Sequence, residues 1–140
     1  MQSSGSDPPV SPRRVLIVED NELHIKLMRD ILAFYGYVTL VAEQGAAAMD
    51  IARRKRPDLI LLDIQLPDMA GTEVAGRLKA DPRTRATPII AVTAFAMPGD
   101  RERFIGSGCD DYIAKPISIG AILRLVERYT APRADDQSSR

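Results

Sequence analysis

Four short apolar runs, Val15 to Val18, Leu59 to Leu62, Ile89 to Val92 and Tyr112 to Ala114, each stop at a polar residue. Runs this short and this rich in aliphatic and β-branched side chains are the pattern of parallel strands buried on both faces. The residues that close them are Glu19 with Asp20, Asp63, Thr93 and Lys115. In an open parallel α/β sheet, ligands bind at the carboxyl edge of the strands, where the strand order reverses. The four runs therefore predict three carboxylates, a hydroxyl and an ammonium at one edge. Such a set suits a divalent cation and a phosphoryl group.

Between the runs the apolar spacing becomes helical. The predicted order is strand Val15 to Val18, helix from about Glu22 to Tyr35, strand Val38 to Val41, helix from about Gly45 to Arg54, and strand Leu59 to Leu62. A helix from about Thr72 to Lys79 follows, then strand Ile89 to Val92, helix from about Asp100 to Ser107, strand Tyr112 to Ala114 and a helix from about Ile119 to Tyr129. Gly36 is a good stop for the first helix and Ser118 a plausible N-cap for the last. Five strand-helix units predict an α/β fold built on a doubly wound, five-stranded parallel sheet.

Composition narrows the function classes. The chain has 140 residues, 45% of them hydrophobic, enough for one core. Nineteen basic residues balance nineteen acidic ones, and no basic block is present, so the charge footprint of a nucleic-acid binder is missing. Cys109 is the only cysteine, which excludes an intramolecular disulfide and fits a reducing cytoplasm. No run approaches the ~20 apolar residues that span a bilayer, and the N-terminus lacks a signal core. Residues 1–13 and 131–140 are polar or rich in Ser, Pro and Gly, so they are expected to be disordered tails around a domain at 14–130. The tail after that domain is too short for an output module, and a signal is expected to leave through protein contacts.

Val15-Leu-Ile-Val-Glu-Asp20-Asn21, Asp58-Leu-Ile-Leu-Leu-Asp63-Ile-Gln65-Leu-Pro67 through Gly71, Val92-Thr93-Ala94 and Lys115-Pro116 resemble the receiver domain of two-component response regulators. The resemblance covers about residues 13 to 130, and its specificity lies in the order and spacing of motifs that are individually weak. Glu19-Asp-Asn-Glu-Leu23, Asp63-Ile-Gln-Leu-Pro67 and Thr93-Ala-Phe-Ala-Met97 with Gly99-Asp100 look most like single-domain members that control the cell cycle. Pro98 departs from the lysine expected there.

The resemblance implies a flavodoxin-like (βα)5 fold with strand order 2-1-3-4-5. It implies that Asp63 accepts a phosphoryl group from a sensor histidine kinase or a histidine phosphotransfer protein, with Mg²⁺ or Mn²⁺ as cofactor. Glu19, Asp20, Asp63 and the backbone carbonyl of Gln65 would hold the cation. Lys115 and Thr93 would contact the phosphoryl group, Tyr112 would turn inward as Thr93 moves, and the Lys115-Pro116 peptide would be cis. Gln65 and Phe95 would flank the path of the hydrolytic water. Downstream protein targets would be bound through the fourth helix, fifth strand and fifth helix. The chain is expected to have no enzyme activity other than a slow self-dephosphorylation and, from its charge balance and lack of long apolar runs, no nucleic acid or membrane partner; a monomer or weak dimer is expected.

The residues support that chemistry directly. A carboxylate accepts a phosphoryl group when it is held in line and the charge on the phosphoryl oxygens is neutralised. Three carboxylates together repel one another unless a cation intervenes, and Mg²⁺ takes a few oxygen ligands with water completing an octahedron. Two other classes remain open: a receiver used only for docking without phosphorylation, and an aspartate-nucleophile phosphatase. The phosphatase would want a second acid two residues after Asp63, where this chain has Gln65. A dinucleotide site would want a glycine-rich loop after the first strand, where Glu19-Asp20-Asn21 stands.

His24 falls on a predicted buried stripe with Leu27, Met28, Ile31 and Tyr35, and is expected to pack rather than ligate. Cys109 is expected to pack as a small apolar residue. The first helix also carries Leu23, Ile25, Leu32 and Phe34, more apolar residues than one buried face needs. Leu23, Ile25 and Phe34 are therefore candidates for docking a phosphodonor.

Overall fold

Among residues 12–94 and 97–131, which the computed structural model describes, strands and helices alternate. They are β1 (Arg14–Val18), α1 (Glu22–Phe34), β2 (Val38–Ala42), α2 (Gly45–Lys55), β3 (Leu59–Asp63), α3 (Gly71–Ala80), β4 (Ile89–Thr93), α4 (Asp100–Ser107), β5 (Asp111–Ala114) and α5 (Ile119–Thr130). The expected tails lie outside the described residues except at Pro12, Arg13 and Ala131. Arg13 is tied to the fold, its carbonyl accepting from Val38 N at 2.9 Å. No described helix is long and apolar enough to cross a membrane.

The strands form one parallel sheet in the order β2-β1-β3-β4-β5. Alternate strand residues feed opposite layers because successive side chains leave opposite faces. Val15, Ile17, Leu59, Leu61, Ile90 and Val92 pack with α1 and α5 through Met28, Leu32, Ile122 and Val126. Leu16, Val18, Ile60, Leu62, Ile89 and Ala91 pack with α2, α3 and α4 through Ala48, Ala52, Val74, Leu78 and Phe104. Burying one large apolar side chain contributes roughly 1.5–3 kcal/mol, so these two layers hold the sheet between them. The strand order reverses between β1 and β3, and the ends of those strands flank the crevice.

Local chemistry sets the element ends. The Asn21 side chain caps α1 by accepting from His24 N at 3.1 Å, and Ser118 caps α5 by accepting from Ala121 N at 3.3 Å. Gly36 follows α1 with φ +91°, a left-handed conformation that suits glycine. The cap of α2 comes from elsewhere: the Asp68 carboxylate accepts from Gly45 N at 2.7 Å and Ala46 N at 3.0 Å. At the amino edge of the sheet, Asp58 accepts from Arg14 N and Asp110 from Ile89 N, both at 2.8 Å. These two carboxylates pin the first residues of β1 and β4.

The structure corrects the predicted face of α1. Its buried residues are Ile25, Met28, Ile31 and Leu32, while Leu27 and Tyr35 are exposed. The buried wedge keeps Met28 and Ile31 but is rotated from the predicted stripe by about half a residue step, roughly 50°, toward Ile25 and Leu32. Ile25 and Leu32 lie about one turn before and one turn after Met28 and are buried with it, Met28 and Leu32 packing with Val15 and Ile17 of β1.

Candidate functional site

Backbone pairing carries each of the five polar residues to one rim. Glu19 N donates to Ala42 O at 3.0 Å, which extends the β1–β2 ladder one residue past the strand. Asp63 and Thr93 are the last residues of β3 and β4, paired with Val92 and Ala114. Lys115 N donates to Thr93 O at 2.7 Å, so the lysine leaves β5 at the same level. The Lys115-Pro116 peptide is cis. Glu19 is 1% exposed, Asp63 6% and Thr93 4%, whereas Asp20 lies in solvent. Carboxylate oxygens of Glu19, Asp20 and Asp63 all come within 4.8 Å of one another.

Lys115 Nζ closes the cluster. It donates to Asp63 Oδ2 at 3.1 Å, to Glu19 Oε1 at 3.2 Å and to His24 Nδ1 at 3.0 Å. The remaining oxygens are engaged by the backbone: Asp63 Oδ1 accepts from Gln65 N at 2.8 Å, and Glu19 Oε2 accepts from Asn21 N at 3.1 Å. Burial works against the ammonium, but its hydrogen bond to Asp63 and the fields of Asp63 and Glu19 outweigh it and hold the Lys115 pKa above the ordinary lysine value.

One ammonium does not balance three clustered carboxylates, and the deficit falls on the most buried. Burial, with Asp63 alongside, lifts Glu19 from its ordinary 4.5 to about 7, against the opposing pull of Asn21 N and Lys115. The oxygen-only donor set of Glu19, Asp20 and Asp63 fits a hard divalent ion.

The other expected residues are distributed as follows. Tyr112 is half-buried on β5, its ring centroid 5.9 Å from that of Phe104. Gln65 is exposed in the β3–α3 loop, bridged to Ala70. Phe95 lies outside the described residues. Leu23 and Phe34 are 77% and 82% exposed, but Ile25 is 7% exposed and belongs to the core. Ile25 therefore leaves the docking set, because it faces inward beside Met28.

His24 is the site residue that sequence reasoning missed. It sits in the first turn of α1, where the Asn21 cap fixes its backbone, and its ring reaches Lys115 instead of packing in the core. A signal was available. In this sheet the first turn after β1 lies beside the carboxyl rim, so a polar side chain there is a candidate for the border of the site. Gly71, which closes the motif that begins at Asp58, donates its N–H to Ile64 O at 2.7 Å, directly after Asp63.

Known proteins resemble this chain in sequence and in fold. The polar-differentiation response regulator DivK of Brucella anthropi is 52% identical over 118 residues, covering 84% of this chain and 96% of that protein. DivK of Brucella ovis is 50% identical over 117 residues, covering 84% and 95%. The receiver domain of a sensor histidine kinase from Pseudomonas aeruginosa, solved with a magnesium ion in its active-site cleft, superposes with a TM-score of 0.80 at 34% identity, covering 87% of this chain and 100% of that one. A putative response regulator from Chloroflexus aurantiacus superposes with a TM-score of 0.83 at 26% identity, covering 87% and 100%. Residues 15–127 match the response regulator receiver domain, and with the 2-1-3-4-5 sheet and the acidic rim beside Lys115 this chain belongs to that family.

Proposed function

We propose that this chain is a phosphoryl-switched signalling protein that takes a phosphoryl group from phosphohistidine onto Asp63. The donor is a sensor histidine kinase or a histidine phosphotransfer protein, and the output is an altered affinity for downstream protein targets. The relatives named for polar differentiation support a place in cell-cycle or cell-division control. One observation carries the reading: a nearly buried strand-end carboxylate, Asp63, lies 3.1 Å from an ammonium and within 4.8 Å of two further carboxylates.

In the transfer, a carboxylate oxygen of Asp63 attacks phosphorus as the P–N bond to the imidazole breaks, the bonding pair leaving with the ring nitrogen. Positioning and electrostatics dominate such a step. Glu19, Asp20 and Asp63, with the Gln65 carbonyl, would hold Mg²⁺ or Mn²⁺, which when bound neutralises charge on the phosphoryl oxygens. Lys115 supplies a compact cation to one of those oxygens, and the Thr93 hydroxyl donates to another. Thr93 and Tyr112 form the switch, and Tyr112 already leans on Phe104 of α4. Leu23 and Phe34, both exposed, dock the donor, and Gln65, which offers an amide but no base, favours slow hydrolysis together with Phe95.

The test is phosphorylation with a phosphohistidine donor or a small phosphodonor. An acid-stable, alkali-labile adduct should form in wild type and be abolished by Asp63→Asn and by chelation. A normal adduct yield in Asp63→Asn would overturn the assignment, since the amide keeps the shape but loses the anionic nucleophile.

A further inference from the structure

The third acceptor of the Lys115 ammonium is not a carboxylate. His24 Nδ1 lies 3.0 Å from Nζ, as close as Asp63 Oδ2 at 3.1 Å and Glu19 Oε1 at 3.2 Å. An ammonium has three hydrogens and no lone pair, so Nδ1 accepts and the ring carries its proton on Nε2. The three acceptors therefore use all three N–H groups. Nδ1 is 3.7 Å from Glu19 Oε1, too far for a hydrogen bond between them. The ring is directed at the lysine.

We propose that His24 is a positioning residue for phosphoryl transfer, holding the Lys115 ammonium above Asp63 through a neutral acceptor. This rests on the assignment of Asp63 as the phosphoryl acceptor. Lysine is a point charge on a flexible four-carbon stem, so its placement depends on what its hydrogens bind. Of its three partners, Asp63 is the group that reacts and Glu19 belongs to the candidate cation set. His24 belongs to neither, and it is held from behind by the Asn21 cap on its own backbone N–H. A fourth carboxylate at this place would compete with phosphoryl oxygens for the ammonium. An apolar side chain would leave one N–H without a partner. A neutral ring orients the cation and adds no charge to a rim already rich in anions.

The test compares His24→Leu and His24→Met, which remove the acceptor but keep bulk, with His24→Asn, whose amide oxygen occupies the position of Nδ1. Three measurements are made: the ¹⁵N–¹H signal of the Lys115 ammonium, the rate of Asp63 phosphorylation by a small phosphodonor at saturating Mg²⁺, and Mg²⁺ affinity by titration calorimetry. Removing the acceptor should broaden the ammonium signal through faster exchange and slow phosphorylation about fivefold to tenfold, with Mg²⁺ affinity unchanged. His24→Asn should restore both signal and rate. Either apolar variant that folds suffices. A wild-type rate in that variant, an Asn variant as slow as the apolar one, or a loss of Mg²⁺ affinity in step with the rate would overturn the proposal. A wild-type protein that is not labelled on Asp63 would overturn the acceptor assignment instead, and this proposal with it.

Discussion

Gly71 leaves no room for a β-carbon over the carbonyl of Asp63: one built there would lie 2.6 Å from that oxygen and 2.7 Å from Ile64 Cα. The first turn of α3 is thus pressed against the backbone that carries the proposed acceptor. Both obstructing groups are main chain and cannot rotate away. Gly71→Ala should lower stability by ~1–3 kcal/mol and slow phosphorylation of Asp63, because relief requires the β3 end to shift. Urea unfolding checks the first effect and labelling kinetics the second; a midpoint equal to wild type would mean the loop yields freely.

Thr93→Ala should separate chemistry from signalling. Asp63, the acidic partners and Lys115 remain, so the variant should still take up phosphoryl. It should lose most of the phosphorylation-dependent gain in affinity for a downstream protein, since no hydroxyl draws the end of β4 toward the phosphoryl group. Calorimetric titration of a partner with phosphorylated and unphosphorylated protein reads this directly. Equal gains in wild type and variant would remove Thr93 from the switch.

Glu19 predicts an unusual pH dependence for the cation-free protein. Its folded pKa is raised from 4.5 to about 7, so between those values the native state holds more protons than the unfolded chain. Stability contributed by that proton is present at low pH and is lost as pH rises through about 7. Asp68 and Asp81 are shifted the other way, Asp68 by the backbone N–H groups of Gly45 and Ala46 and Asp81 by Arg83, and their contributions are complete well below this window. The melting temperature without divalent cations should therefore fall from about pH 5.5 to about pH 8, and Mg²⁺ should raise it most at the upper end. Glu19→Gln should flatten the profile. A profile that rises across the window would contradict the shift.

The exposed rings and chains of α1 predict a split between donors. Leu23→Ala with Phe34→Ala should slow transfer from a cognate phosphohistidine protein about tenfold, equivalent to ~1.4 kcal/mol of lost docking energy. Labelling by a small phosphodonor, which needs no docking surface, should be unchanged. Equal slowing with both donors would place these residues in the fold instead of the interface.

Much of this was legible in the chain because buried parallel strands advertise themselves as uninterrupted apolar runs, and a polar residue closing each run has only one rim to reach. The strand ends differ by a residue where Asp63 and Thr93 prove to be paired in the sheet despite their polarity. The face of α1 was not legible: with Leu23, Ile25, Leu27, Met28, Ile31, Leu32 and Phe34 on thirteen residues, several stripes fit, and only the strand beneath selects Ile25 over Leu27. His24 was hidden for the same reason. The Asp68 cap on α2 joins residues more than twenty positions apart, a pairing no local pattern encodes.

Carboxylates at opposite edges of the sheet divide the ways this molecule can fail. Asp58 and Asp110 pin the first N–H groups of β1 and β4, so replacing either strips an acceptor from the frame. Such variants should be thinned from cells by proteolysis, with little protein left to examine. Replacing Asp63 touches the other rim and leaves that frame intact. Those variants should accumulate at ordinary abundance as silent molecules, so in a genetic screen the amount of protein present would tell which end of a strand had been hit before any activity was measured.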